Sequence, residues 1–206
     1  STFKPLTAVA ALEENAIGIE DTIDCTGRYE EIDTPIKCWI YPGRHGPLNM
    51  VGGLQNSCNF FFADLGHRLS MDADGNYVPS LGLDKLHKYA ALFGLDHKSG
   101  VEIDELEPQI SDIDPERSAM GQGNHAYTNV QLSRYVAAIA SRGNVFELSL
   151  LDKTTDSEGN LIKDYTPEIS SHIDAADSTW DTVQQGMREV IASGTAKKLF
   201  ADLEVP

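Results

Sequence analysis

Apolar positions near the start of the chain fall at helical spacing. Leu6, Val9, Ala10 and Leu12 share one face, and Pro5 lacks the backbone N–H that only a first turn can spare, so this pattern predicts a helix opening near Ser1. Residues 20–53 carry Gly, Pro and aromatic residues with weak periodicity and read mostly as loop with short pieces of structure. A second apolar helix is predicted from about Ser57 to Leu69, interrupted by the turn residues of MDADGNYVPS. Leu83, Leu86, Tyr89, Ala90 and Phe93 mark a third, closed by Gly94. GLDHKSGVEIDELEPQISDIDPE is polar and broken by proline, as expected of a surface excursion.

The second half opens with a clear signal. Thr128 followed three residues later by Gln131 forms a capping box, in which each side chain satisfies an otherwise orphaned backbone N–H. Leu132, Tyr135, Val136 and Ile139 are the expected buried face of this helix, which Gly143 ends. NVFELSLLDKTTDSEGNLIKDY reads as two strands around a DSEGN turn. A last helix begins near Ser178 and is expected to bury Trp180, Val183, Met187, Val190 and Ile191. The pattern is helix-heavy with few strands, an α+β class in which the helical share dominates and the antiparallel sheet is incomplete.

Charge narrows the function classes. The 206 residues carry a formal net charge of −16, the wrong sign for nucleic acid or an anionic membrane surface. No apolar run approaches the eighteen or so residues of a membrane span. The three cysteines, Cys25, Cys38 and Cys58, lie close together and are odd in number, which does not read as a disulfide framework. With His45 they form a C-x12-C-x6-H-x12-C set, whose soft ligands suit a closed, structural tetrahedral zinc site. The plain alternative is three buried free thiols, since cysteine is a good small core residue. DADGN (Asp72 to Asn76) mimics the start of a calcium loop but lacks the glycine and glutamate that the loop needs, so it reads as a polar turn. His67, His87, His97, His125 and His172 are scattered without ligand spacing.

Ser1 and Lys4 form an S-x-x-K pair, three positions apart and on one face of the predicted helix. A serine hydroxyl needs a base to become a nucleophile, and a desolvated lysine can be that base. Two other readings stand beside it: an accident of the chain's first residue, and an N-terminal nucleophile using its own amine. The last requires a strand at that position, against the helix that Pro5 and the apolar spacing predict. Ser57 and Asn59 form an S-x-N at the start of FFFADLGHRL, able to relay a proton and hold a carbonyl, or simply to cap a helix.

Taken together these segments resemble a known family. STFKPLTAVAALEE resembles the active-site helix of penicillin-binding protein transpeptidases, GGLQNSCNFFFADLGHRL their S-x-N segment, and AMGQGNHAYTNVQLSRYVAAIASRGNV their G-Q-G stretch and following helix. GMREVIASGTAKKLF is similar to the segment leading to their third motif, and CWIYPGRHGPLNMVGGLQNSCN to the class B, elongation-type subgroup of clostridia-like Gram-positive bacteria. The resemblance runs nearly end to end. It implies the serine β-lactamase-like fold over residues 1–206 as a partial transpeptidase domain, with Ser1 as acyl-accepting nucleophile, Lys4 as its base, Ser57 as proton relay and Asn59 positioning the substrate amide.

It also implies D-Ala-D-Ala stem peptides as substrate and β-lactams as acylating mimics, with no catalytic cofactor. A membrane glycosyltransferase partner, and a place on the outer face of the bacterial cytoplasmic membrane with a role in cell shape, follow from the same likeness. A non-catalytic scaffold or β-lactam-binding sensor of the same fold is the alternative. The family's K-T-G motif does not occur among these residues, so the expectation is a segment of a longer enzyme, inactive by itself.

Overall fold

A computed structural model describes residues 1–201. Its elements in chain order begin with α1 (Lys4–Glu13), β1 (Ile23–Cys25), β2 (Arg28–Tyr29), β3 (Ile36–Lys37), β4 (Gly46–Leu48), α2 (Met50–Gln55) and α3 (Asn59–Leu69). They continue with α4 (Pro79–Leu92), α5 (Pro115–Ala119), α6 (Asn129–Ala140), β5 (Asn144–Phe146), β6 (Lys153–Thr155), β7 (Leu161–Asp164), β8 (Ile169–His172) and α7 (Asp177–Ala192). The described chain divides into two compact units: Ser1–Tyr89, Ser111–His125 and the described residues from Ala175 onward form the first, Ala90–Ile110 and Ala126–Asp174 the second. Among the described residues the strands form four separate two-stranded antiparallel ladders. No described helix is long and apolar enough to cross a membrane.

In the first unit α1 is the central element. The spacing predicts one apolar face, yet every residue from Lys4 to Leu12 is buried, because small alanines on the remaining sides let neighbours close around the helix. The helix opens at Lys4 and not at Ser1: Phe3 is its N-cap, and Ser1 to Phe3 form a turn in which Lys4 N–H donates to Ser1 O at 3.0 Å. Pro5 still sits in the first turn, as its missing donor requires. At the other end of α1, Glu13 reaches α7. Ala176 at the start of α7 has no side-chain cap of its own, and Glu13 Oε1 instead accepts from Ala176 N–H (3.2 Å) and Thr179 Oγ1 (2.6 Å), a carboxylate at the positive end of a helix.

Helix α2 lies where loop is predicted. Its glycines carry no apolar periodicity, but they permit close approach: a Cβ on Gly53 would stand 2.6 Å from the Phe61 ring. Asn49 caps it by accepting from Gly52 N–H. Helix α7 packs across α2, with Gly186 against Leu54, and buries Trp180 and Val183 as expected, while Met187, Val190 and Ile191 are only half-buried. Helices α3 and α5 also meet backbone to side, where Gly66 faces Pro115 O. Glu116 is buried beside this contact and is satisfied by His67 Nδ1 and the Tyr77 hydroxyl; burial pushes its pKa up. The DADGN turn closes on itself, Asp72 Oδ1 accepting from the N–H groups of Asp74 and Asn76.

In the second unit the capping box is formed in full, and α6 ends at Ala140, followed by a left-handed turn through Arg142 and Gly143 in which Gly143 N–H donates to Ala138 O. Its buried face differs from the predicted one. Tyr135 and Ile139 are buried, but Val136 is exposed and Leu132 half-buried, and the inward positions are taken by Gln131 and Arg134. Arg134 satisfies the carbonyls of Gly94 and Ser99. The DSEGN hairpin is β6–β7, and β5 pairs separately with β8.

Gly66 sets packing against propensity. A Cβ there would lie 2.5 Å from Pro115 O, a backbone atom that cannot swing aside. Gly66→Ala is expected to destabilise the protein by about 1–3 kcal/mol in urea unfolding. A gain of about 1 kcal/mol, as helix propensity alone would give, would refute the close packing.

Candidate active site

The site begins with a buried cation. Lys4 is 2% exposed at the first turn of α1, and a buried ammonium needs every proton accepted. Its Nζ donates to Ser57 O (2.7 Å), Ser57 Oγ (2.9 Å) and Asn59 Oδ1 (2.9 Å), all from the joint between α2 and α3. Phe62 lies against the same amine, 5.5 Å from Nζ to the ring centroid. Burial lowers the Lys4 pKa to about 8, with the nearby Cys58 and Cys38 sulfurs acting in the opposite direction.

Ser57 is in the left-handed region at φ 46°, uncommon for a residue with a Cβ. The strain follows from two demands. Ser57 N–H closes the end of α2 on Leu54 O, while its carbonyl and hydroxyl both turn to Lys4. Neither Ser57 nor Asn59 is a plain cap. Helix α3 starts at Asn59, and its cap is Cys58, whose sulfur accepts from Phe61 N–H at 3.4 Å.

Ser1 Oγ lies 3.3 Å from Ser57 Oγ. The predicted set of Ser1, Lys4, Ser57 and Asn59 is therefore brought together, with one change from the simple helical picture. The Lys4 amine makes no hydrogen bond to the Ser1 hydroxyl among the described residues; Ser57 Oγ stands between them. Ser1, Ser57 and Asn59 face a cleft of about 490 Å³ that Trp39, Gln122 and Thr195 also line, with Lys4 buried behind them. Lys4 occupies Asn59 Oδ1, so it is the amide nitrogen of Asn59 that remains to donate to a ligand carbonyl.

Two walls of this cleft have their own supports. Gln122 belongs to the glycine-flanked turn after α5. His125 anchors this turn: its Nδ1 accepts from Ser111 N–H (3.0 Å), so its Nε2–H donates to Ser118 O (3.1 Å), and its ring lies on Phe3 at 4.2 Å. Thr195 follows α7 and is held by donation of its N–H to Gln55 O at 3.3 Å. The sequence motifs by themselves give no role to Trp39, Gln122 or Thr195. The available signals are the G-Q-G stretch for Gln122, the segment after the last helix for Thr195, and an aromatic beside Cys38 in a Gly/Pro-rich loop for Trp39.

The four metal-ligand candidates also converge. The β1–β4 register pairs Cys25 with Gly46 and so sets His45 beside Cys25. The β2–β3 ladder ends at Lys37, and Cys38 N–H donates to Gly27 O, turning its side chain inward. Cys58 enters from the cap of α3. The Cys25, Cys38 and Cys58 sulfurs and a His45 ring nitrogen all lie within 4.8 Å of one another. His45 Nδ1 is 3.5 Å from Cys25 Sγ and 3.6 Å from Cys38 Sγ, and Cys38 Sγ is 3.8 Å from Cys58 Sγ. All three cysteines are buried and unpaired by disulfides. The Cys38–Cys58 contact holds the Cys38 thiol well below the ordinary thiol range and, with burial, pushes the Cys58 thiol up.

The chain matches the family model of the penicillin-binding protein transpeptidase domain over residues 1–205. It is 27% identical to the stage V sporulation protein D of Bacillus subtilis, over 98% of this chain and 30% of that protein. With the peptidoglycan D,D-transpeptidase MrdA of Haemophilus influenzae the identity is 25%, over 98% of this chain and 32% of the relative. The chain thus spans about a third of the length of these relatives. Its fold superposes on a solved peptidoglycan synthase complex, described as coordinating polymerization and crosslinking, with a TM-score of 0.84 at 23% identity, covering 100% of this chain and 34% of the other.

The protonation state of Lys4 is open to direct measurement. Its ¹³Cε resonance is expected to titrate near the value of about 8 set by burial. A midpoint at the ordinary lysine value would mean that burial does not depress the amine.

Proposed function

Since the chain belongs to the penicillin-binding protein transpeptidase family, we propose that it carries the acylation machinery of a peptidoglycan D,D-transpeptidase. The observation that carries this reading is the connected series Ser1 Oγ, Ser57 Oγ, Lys4 Nζ, Asn59 Oδ1, with links of 3.3, 2.9 and 2.9 Å. Ser1 Oγ attacks the carbonyl between the two terminal D-alanines of a stem peptide. Its proton passes to the neutral amine of Lys4, with Ser57 Oγ as the bridging hydroxyl. The same groups return the proton to the leaving amine, so that one D-alanine departs and an ester on Ser1 remains. The amine of a neighbouring strand then attacks that ester, forms the cross-link amide and restores the Ser1 hydroxyl. The Asn59 amide nitrogen holds the donor peptide carbonyl, and the Ser1 main-chain nitrogen contributes to the oxyanion site.

The low Lys4 pKa serves this scheme. A base at about 8 is neutral in a useful fraction of molecules near neutral pH, whereas an ordinary lysine is almost wholly charged. β-Lactams, which imitate the terminal dipeptide, acylate the same serine. The protein that carries this chain acts on peptidoglycan at the outer face of the cytoplasmic membrane, beside a membrane glycosyltransferase that polymerises the glycan, and contributes to cell shape. The likeness to a complex coordinating polymerization and crosslinking supports that pairing.

The cysteine cluster is a structural zinc site in this reading. With metal–sulfur bonds of about 2.3 Å and a metal–nitrogen bond of about 2.0–2.1 Å, tetrahedral edges measure about 3.8 Å between sulfurs and about 3.6 Å from sulfur to nitrogen. The three separations of 3.8, 3.6 and 3.5 Å match those edges, and all four donor atoms lie within 4.8 Å of one another. Cys25, Cys38, His45 and Cys58 would hold the ion, which takes no part in the acyl transfer. Its contribution is to fasten the loops around β1–β4 to the start of α3.

Two measurements test these assignments. Fluorescent penicillin is expected to label the full translation product of the gene, and Ser1→Ala to abolish the label; a mutant that still labels would remove Ser1 from its role. Protein purified without chelators is expected to contain about one zinc per chain, lost in Cys38→Ser together with a lower melting temperature. A zinc ratio near zero in the wild type would end the metal assignment.

A further inference from the structure

Trp39 combines exposure with firm support. Its side chain is 57% exposed, unusual for an indole, which is normally largely buried. Yet the ring is fastened at two points. Nε1–H donates to Asn56 O at 2.9 Å, and the ring meets the His45 imidazole edge-on at a centroid distance of 5.3 Å. Asn56 immediately precedes Ser57, so the indole is referenced to the same joint of chain that presents Ser57 and Asn59. Of the residues lining the Ser1 cleft, the other five are polar or small, and Trp39 supplies the aromatic surface.

We propose that Trp39 determines donor specificity by forming the apolar wall for the acyl side of the donor. The inference rests on the transpeptidase reading of Ser1. Ser1 Oγ marks the position of the attacked carbonyl, and the Asn59 amide nitrogen marks that of the preceding amide. The donor then continues along the wall formed by Ser57 and Asn59, where the indole stands. In a peptide donor the group arriving there is the aliphatic side chain of the residue before the D-alanine pair. In a β-lactam it is the acylamino substituent. An indole face suits both, since it packs on methylene stems and on aromatic rings alike. A ring already held in place loses little freedom when the donor arrives.

The test compares two acylating agents on the full translation product: a penicillin with a phenylacetylamino substituent, and a carbapenem with only a hydroxyethyl group. Trp39→Ala is expected to slow the penicillin about tenfold and the carbapenem less than about twofold, while Trp39→Phe keeps most of the penicillin rate. Equal loss with both agents, or no loss with either, overturns the proposal. A second readout does not depend on how the alanine variant folds. Trp180 is buried, so the emission difference between wild type and Trp39→Phe reports on Trp39. That difference is expected to change when the penicillin acylates the wild type, and no change counts against the wall. If neither agent acylates the wild type, the transpeptidase reading fails and this inference with it; normal acylation with an unmoved rate ratio overturns this inference alone.

Discussion

The arrangement depends on one buried amine. Lys4 cannot stay in the interior unless its protons are accepted, and the acceptors come from a single strained joint fifty residues or more along the chain. That requirement explains several features at once. It holds Ser57 in a left-handed conformation, ends α2 at Gln55, and hands the capping of α3 to Cys58. It also aligns Ser57 Oγ between Ser1 and the amine, which a serine serving as a helix cap would not do. Removing water from around Lys4 makes these hydrogen bonds strong and lowers the amine's pKa by the same physical cause.

A second constraint stabilises the first. Cys58 sits between Ser57 and Asn59, so whatever holds its sulfur also holds the joint. The sulfur lies against Cys38, next to which Trp39 stands, and His45 touches both the sulfur cluster and the indole. The Cys/His cluster and the Trp39 side of the Ser1 cleft are therefore parts of one loop system, linked by adjacent residues. The short ladders β1–β4 and β2–β3 are too small to be stable by themselves, and their function is to set the register that delivers Cys25, Cys38 and His45 to one point.

Local signals in the sequence were reliable where local chemistry decides. The Thr128–Gln131 capping box, the Gly143 stop, the DSEGN hairpin and the first-turn position of Pro5 all depend on residues a few positions apart, and all are present. Failures came where packing decides. Helix α2 has no apolar stripe because glycines and a neighbouring aromatic ring do its packing. Helical spacing points Val136 inward, but the polar Gln131 and Arg134 take the interior because they satisfy carbonyls there. The start of α7 had no visible cap, since its cap is Glu13 on another helix.

For the site, the sequence by itself determined which groups are available: a serine and lysine three apart, a serine and asparagine flanking a cysteine, and three thiols with a histidine. Residue type sets the possible chemistry, and the ordered motifs sufficed to indicate the family. What only the tertiary structure decided is how these groups connect. Ser57 Oγ, and no direct hydrogen bond between the side chains, links the Ser1 hydroxyl to the Lys4 amine; the widely spaced cysteines meet His45 at one point; and Trp39 stands exposed at the cleft. Each of these depends on distances between segments remote in the chain, which are fixed by burial and by the need to satisfy every buried polar group, and no local pattern encodes them.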